Sequence, residues 1–320
     1  NCLEMDKKIL NRIVTRSGVP DLPEILSDRL TESDLNTLLL EVFHRRSKVK
    51  SPAVLLQNYR NNRFVQPVAA DAVGLSGFLL DWLTSAATAG FTPLELSPVC
   101  PLGTCSIIAT AHQNKVVSAL RGTEVVADAT NVLALESAVR RQREGFPTET
   151  RHFSAVHRHV RAQEVPDMPG YSPHFSILGL TSAGRDKGGF DFEKENLWRH
   201  IHFYRSFLED NMHLSPIKLR LISLRGESGD NRMFDMMHEF LREKLFDLTV
   251  ETAPTARKEQ AYYCDVQFKI VIPMPDGGEM EIADGGFTDW TRQLTGNRKE
   301  RLLISGIGLE LLYKMTNGLL

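Results

Sequence analysis

No apolar stretch in this chain approaches the ~18 residues that a membrane-crossing helix needs, so a helical membrane protein is not expected. Excess charge of either sign is missing as well. The 38 Lys+Arg and 40 Asp+Glu leave a formal net charge of −2, too little for a global field that would gather nucleic acid. Cysteine is scarce: Cys2, Cys100, Cys105 and Cys264 form no C-x-x-C pair, which fits reduced thiols and a cytoplasmic setting. The opening NCLEMDKKILNR has no apolar signal core, so secretion is not expected either. Internal repeats and low-complexity tracts are absent. What remains is ordinary for a globular protein: 320 residues, 42% hydrophobic and 24% charged, enough for one large domain or two smaller ones.

Local signals divide the chain near residue 66. Residues 1–66 read as a helical segment. Thr31-Glu32-Ser33-Asp34 offers a cap before apolar residues at helical spacing, and Ser51-Pro52 opens a further helix. Residues 75–89 predict a helix stopped by Gly90, and Phe91 to Val99 has strand composition. Asp128-Ala129-Thr130 is a good start for a helix over 131–143. Phe153 onward reads as a strand, a Pro/Gly-rich turn and a returning strand, YSPHFSILG. Helix, strand and helix follow over about 185–255, and a strand-rich hairpin with its tip at 273–278 over 261–286.

Several of these stretches, taken in order, resemble the core of class II aminoacyl-tRNA synthetases of the histidyl type. His157-Arg158-His159-Val160-Arg161-Ala162-Gln163 resembles the ATP-holding F-R-x-E-R-P-Q of motif 2. The helix over 75–89 and the segment reaching Pro98 resemble motif 1. The stretch ending in Asp128 and Thr130 resembles L-R-P-E-G-T, with Asp128 on the glutamate that holds the substrate's α-amino group. Lys258-Glu259-Gln260-Ala261-Tyr262-Tyr263 resembles R-G-L-D-Y-Y, Ala283 to Asp289 resembles A-G-G-R-Y-D, and Ser305 to Leu312 resembles motif 3. The resemblance implies an α+β fold: an antiparallel sheet flanked by helices, over residues 67–320, with an insertion at about 185–255. It also implies a homodimer formed through motif 1.

By the same resemblance Arg158 and Lys258 occupy catalytic positions. Asp128, Thr130, Arg161, Gln163, Thr181, Tyr262, Tyr263, Gly285, Gly286 and Gly308 occupy ligand-binding ones. Arginine suits phosphate because its planar fork bonds bidentately and keeps its charge. The chain departs from the pattern where charge matters most. Leu311 stands on the motif 3 arginine, Phe287 on the glycine-pair arginine, Val160 on the adenine-contacting glutamate, and Ile177 and Thr181 on polar amino-acid contacts. At ~1.5–3 kcal/mol per charge-assisted bond, such losses would abolish ordinary ATP use. Asp128 also fits as a plain helix cap, and an edge bulge would select the glycine pair equally. If Tyr262 and Tyr263 lie on a strand, they point to opposite faces and one at most meets a given pocket. Zinc is not expected at His157/His159 or His200/His202, which lack further ligands at a recognised spacing.

The expected function is a synthetase-like paralogue that does not charge tRNA and binds a small metabolite or a partner protein in a regulatory role. The regulatory subunit of ATP phosphoribosyltransferase, a partner in a biosynthetic complex, is similar in this respect. Two alternatives stand: an ATP- and Mg²⁺-dependent carboxylate-activating ligase, and a structural dimerisation module.

Overall fold

The computed structural model describes residues 2–109, 111–163, 165, 170–214, 216–225, 229–245, 249–253, 262–274 and 277–319. Lys258 lies outside them. The chain divides into two compact units, Asn1–Asn62 with Ala119–Thr123 and Arg63–Ser118 with Glu124–Leu320.

The first unit is built from helices α1 (Cys2–Ser17), α2 (Glu32–Lys48) and α3 (Pro52–Arg60). Both expected caps form. Thr31 Oγ1 accepts from the Asp34 amide at 3.1 Å and Ser51 Oγ from the Val54 amide at 3.3 Å, each satisfying an amide that the helix start leaves open. Arg45, Arg46 and Lys48 fall in the last turn of α2, where the helix end is partially negative.

The second unit begins with α4 (Ala72–Thr88), capped by Asp71 and followed by Gly90 at φ +88°, a conformation glycine adopts without strain. The strand expected after it shrinks to β1 (Thr92–Pro93). Pro93 and Pro98 have no amide hydrogen to give a ladder, and this is the physical reason for the shortening. Next come α5 (Ala129–Arg143), β2 (Arg151–Val160), β3 (His174–Arg185), α6 (Asp191–Ser206), β4 (Lys218–Ser223), α7 (Arg232–Lys244), β5 (Thr249–Ala253), β6 (Cys264–Pro273), β7 (Glu279–Thr288), α8 (Trp290–Thr295), β8 (Glu300–Gly308) and α9 (Leu309–Thr316).

Among the described residues one sheet holds eight of these strands in the order β1-β2-β3-β8-β7-β6-β4-β5. Its interior pairings are antiparallel, and only the edge pairs β1·β2 and β4·β5 are parallel. The expected mixed α+β architecture is the one observed. Within the segment over 185–255, β4 pairs with β6 and extends the sheet.

Strand alternation sorts the two faces. On one face Leu178, Leu180, Leu303 and Ile307 bury against Leu197 and Ile201 of α6, with Trp82 of α4 and Met237 and Leu241 of α7 in the same core. Each such side chain contributes roughly 1.5–3 kcal/mol when fully removed from water. On the other face Ala183, Leu302 and Ile304 pack with Ala134 of α5 and Trp290 of α8.

A polar thread crosses the first core. Ser182 Oγ lies 2.8 Å from His152 Nδ1 and 2.9 Å from His200 Nε2, and Ser305 Oγ lies 2.7 Å from His200 Nδ1 and 2.9 Å from the Tyr204 hydroxyl. Both ring nitrogens of His200 are therefore partnered, which is what makes a fully buried imidazole tolerable.

Candidate functional site

A cavity of about 790 Å³ opens on the α5 face of the sheet. Its geometry follows from one helix start, one turn and the strand periodicity. Asp128 is the N-cap of α5 and lies in extended backbone at φ −154°. Its Oδ1 accepts from the Thr130 amide at 2.9 Å and from Thr130 Oγ1 at 2.8 Å, and the Tyr262 hydroxyl donates to Oδ2 at 2.8 Å. Arg161 Nη2 stands 3.9 Å from the same Oδ2. Burial works to raise the Asp128 carboxyl, but the charge of Arg161 and the Thr130 hydrogen bonds oppose it, and the carboxyl lies below its ordinary value. Asp128 is thus ionised at neutral pH.

His159 supports the same corner from below. Its Nε2 accepts the Ala129 amide at 2.9 Å, so the ring is neutral and acts as a second cap for α5. Burial takes its pKa down to about 4, against the opposing pull of Asp128.

The second wall comes from Tyr263, whose hydroxyl donates to Asp284 Oδ2 at 3.1 Å. The surroundings of Asp284 raise its carboxyl: burial first, with the Tyr263 hydrogen bond opposing and the charge of Asp128 adding to the rise. Tyr262 and Tyr263 occupy a turn ahead of β6 and not a strand, so the alternation expected from the sequence does not apply, and both line the cavity. Their ring centroids are 4.8 Å apart at 83°, and Tyr262 stands edge-on to Trp290 at 5.1 Å. Burial, then neighbouring carboxylate charge, holds both phenols well above their ordinary range, so they act as hydrogen-bond donors.

The structure brings together Asp128, Thr130, Arg161, Gln163, Tyr262, Tyr263 and Gly308 around this cavity. Four other positions are placed elsewhere. Thr181 is fully buried mid-sheet, opposite Phe153 and Ile304. Gly286 lies on the cavity face but beneath Tyr263: a Cβ there would come within 2.7 Å of the Tyr263 ring and 2.9 Å of the Val266 carbonyl oxygen. Gly285 points the other way, where a Cβ would stand 2.5 Å from both Phe268 and Ser305 Cβ. The glycine pair therefore permits close packing, and neither residue lines the cavity.

Arg158 is the fourth. Its register partner is Ser176, while Ile177, which lines the cavity, faces His157. Period-two alternation turns Arg158 to the opposite face, where Nη2 pairs with Glu310 at 2.9 Å and Nη1 lies 2.9 Å from His174 Nδ1. Lys314 holds the other Glu310 oxygen at 2.9 Å, so this nearly buried glutamate has two cations. Phe287 is buried in the core of that same face. Residues the motifs did not single out complete the cavity: Asn131 in the first turn of α5, Gln267 and Lys269 on β6, and Asp284 on β7. The sequence trace of this lies in the alternation of Gln267 and Lys269, while the register that sets Lys269 opposite Asp284 emerges only in the fold.

No protein-family model and no curated protein matches the chain. Solved structures do. The chain is similar to an apo histidyl-tRNA synthetase from S. aureus with a TM-score of 0.60 and 14% identity, covering 81% of this chain and 71% of that one. A Bacillus halodurans protein described as an ATP phosphoribosyltransferase regulatory subunit/histidyl-tRNA synthetase gives 0.56 at 14% identity, over 79% of this chain and 81% of that one. A histidine–tRNA ligase subunit from Alicyclobacillus acidocaldarius gives 0.57 at 11% identity, over 79% and 95%. The chain has the class II aminoacyl-tRNA synthetase core fold that the order of its motifs implied.

Proposed function

We propose that this protein binds an amino acid or a related ammonium-bearing metabolite in the cavity and acts as a regulatory, non-charging relative of the synthetases, with a partner protein in a biosynthetic complex. One observation carries the reading. Asp128 is an ionised carboxylate on the cavity wall, pre-organised by Thr130 and Tyr262, where an α-ammonium group would meet acceptors already aligned. The surroundings speak against triphosphate chemistry. Arg158 is turned to the other face and committed to Glu310. Leu311 offers no charge, and Lys269 is held by Glu281 at 2.5 Å. Phosphoryl and adenylyl transfer depend on cations aimed at phosphate oxygens, and neither Arg158, Leu311 nor Lys269 supplies one.

Calorimetry across the amino acids is expected to give saturable binding that Asp128→Asn removes, while ATP–pyrophosphate exchange stays silent with every amino acid. Exchange with any of them would instead identify a carboxylate-activating ligase that uses ATP and Mg²⁺, and tRNA charging would overturn the reading altogether. The Asp128 contribution should hold above about pH 4 and fade as pH drops through its lowered value.

The cytoplasm fits this role, and among the described residues no helix is long and apolar enough to cross a membrane. A homodimer formed through the α4 region is part of the proposal. Val73 is 82% exposed and Leu80 61% on α4, and Ile107 is 75% exposed in the turn Thr104–Ile108, apolar side chains that a second copy would cover. Sedimentation should show a dimer that Leu80→Glu with Ile107→Glu converts to monomer; a monomeric parent protein would remove this part of the proposal.

A further inference from the structure

Resting on that reading of the cavity, we infer that its ligand is an amino acid whose side chain ends in a primary ammonium or a guanidinium, held at Asp284.

Among the described residues Asp284 has no ion-pair partner of its own, although the charges of Lys269 and Arg161 reach it from further off. Asp284 sits on the cavity face of β7 and is exposed to the cavity. Among the described residues the one hydrogen bond it receives comes from the Tyr263 hydroxyl, at 3.1 Å on Oδ2. Its register neighbour Lys269 would be the natural counter-ion, yet the Lys269 ammonium lies on Glu281 at 2.5 Å. Arg161 leans on Asp128 and on the Ala127 carbonyl at 3.2 Å, with its guanidinium over the Phe175 ring, and Lys115 lines the cavity as well without an ion pair to Asp284. Asp128 and Asp284 are thus two carboxylates lining one cavity, each bonded by one of two adjacent tyrosines. Because the tyrosine ring centroids are 4.8 Å apart, both carboxylates are within reach of one small molecule.

The rest of the wall suits the stem of such a side chain. Tyr262, Tyr263 and Ile304 give an apolar and aromatic path between the two acids, and Gly306 leaves room beside it. A methylene stem buries against these rings, and its terminal cation meets Asp284 with the face or edge of Tyr263 nearby. The α-ammonium takes Asp128. Arg161, whose fork is only partly used, is placed for the α-carboxylate. A neutral aliphatic amino acid would leave the Asp284 charge unpaired in the filled cavity, and histidine would bring a ring that is mostly neutral at pH 7.5.

The test is calorimetry on the full chain at pH 7.5 with lysine, ornithine, arginine, histidine and norleucine, which keeps the stem and lacks the charge. At least one of lysine, ornithine or arginine should bind ten times or more tighter than both norleucine and histidine. Asp284→Asn should abolish that ratio by weakening the charged ligand while norleucine binds more tightly than before, and Asp284→Glu should retain it; melting curves of both variants confirm that they fold. Equal binding of charged and uncharged ligands, or a preference that survives Asp284→Asn, overturns this inference while leaving the cavity an amino-acid site. Failure of every amino acid to bind overturns the inference together with the reading beneath it.

Discussion

Replacing Arg141 with methionine is expected to lower the free energy of unfolding by about 3–5 kcal/mol, measured by urea denaturation. Arg141 lies on α5 and Glu300 at the start of β8, and both side chains have 0% exposure. Arg141 Nε donates to Glu300 Oε2 and Nη2 to Oε1 at 3.1 Å, a bidentate fork. The remaining donors reach the Pro147 carbonyl at 2.8 Å and the Glu149 carbonyl at 3.0 Å, so the same guanidinium also fixes the loop between α5 and β2. Removing the arginine leaves Glu300 as a bare charge in the interior and strands two carbonyls. Glu300→Gln should cost a comparable amount by leaving the guanidinium uncompensated. The double variant, Arg141→Met with Glu300→Leu, should recover most of the loss, since two uncharged side chains need no partner. If the single and double variants lose equal amounts, the pair does not act as the coupled unit described here. The consequence reaches the cavity, because α5 carries Asp128 at its other end.

The fold was legible in the sequence because its signals are local and arrive in a particular order. The caps at Thr31, Ser51 and Asp128, the glycine stop at Gly90 and the strand-to-helix junction at Gly308 each follow from backbone chemistry within a few residues. The site was only half legible. Which face a side chain takes depends on register, and register is set by partners far away in sequence. Arg158 shows this: its place in the motif suggests a phosphate, while its pairing with Ser176 sends it to Glu310. Tyr262 and Tyr263 show the converse. A strand assignment would separate them, but they precede β6 by a turn and act together. Asp284 escaped because the motif draws attention to the glycines beside it, whose role is to let Phe268, Ser305 and Tyr263 approach the backbone. The Arg141–Glu300 pair spans 159 residues and leaves no local trace at all.

Acid should unfold this protein earlier than its carboxylates alone require. Burial lowers four imidazoles, His157 the least and three further: His152 to about 4, assisted by Arg199; His159 to about 4, opposed by Asp128; and His200 well below its ordinary value, assisted by His152. In the unfolded chain each would titrate near 6.5. A group with a depressed pKa in the native state contributes fully above its unfolded value and loses that contribution as pH falls toward the native one. The unfolded state therefore binds more protons below about pH 6.5, and each of the three costs up to about 1.4 kcal/mol per pH unit there. Urea denaturation at pH 7.5, 6.5, 5.5 and 5.0 should show a fall on the order of 4 kcal/mol, most of it before the carboxylates begin to protonate. The structural reason is specific in each case. His200 is fully buried, so a charge on it is desolvated, and His159 spends its Nε2 lone pair on the Ala129 amide and cannot take a proton there without breaking a bond the fold uses. His200→Gln should flatten the slope between pH 6.5 and 5.0 by about a third while lowering stability at pH 7.5. A stability that stays level across that interval would mean these rings are solvated or already charged, which contradicts their placement between the sheet and its helices.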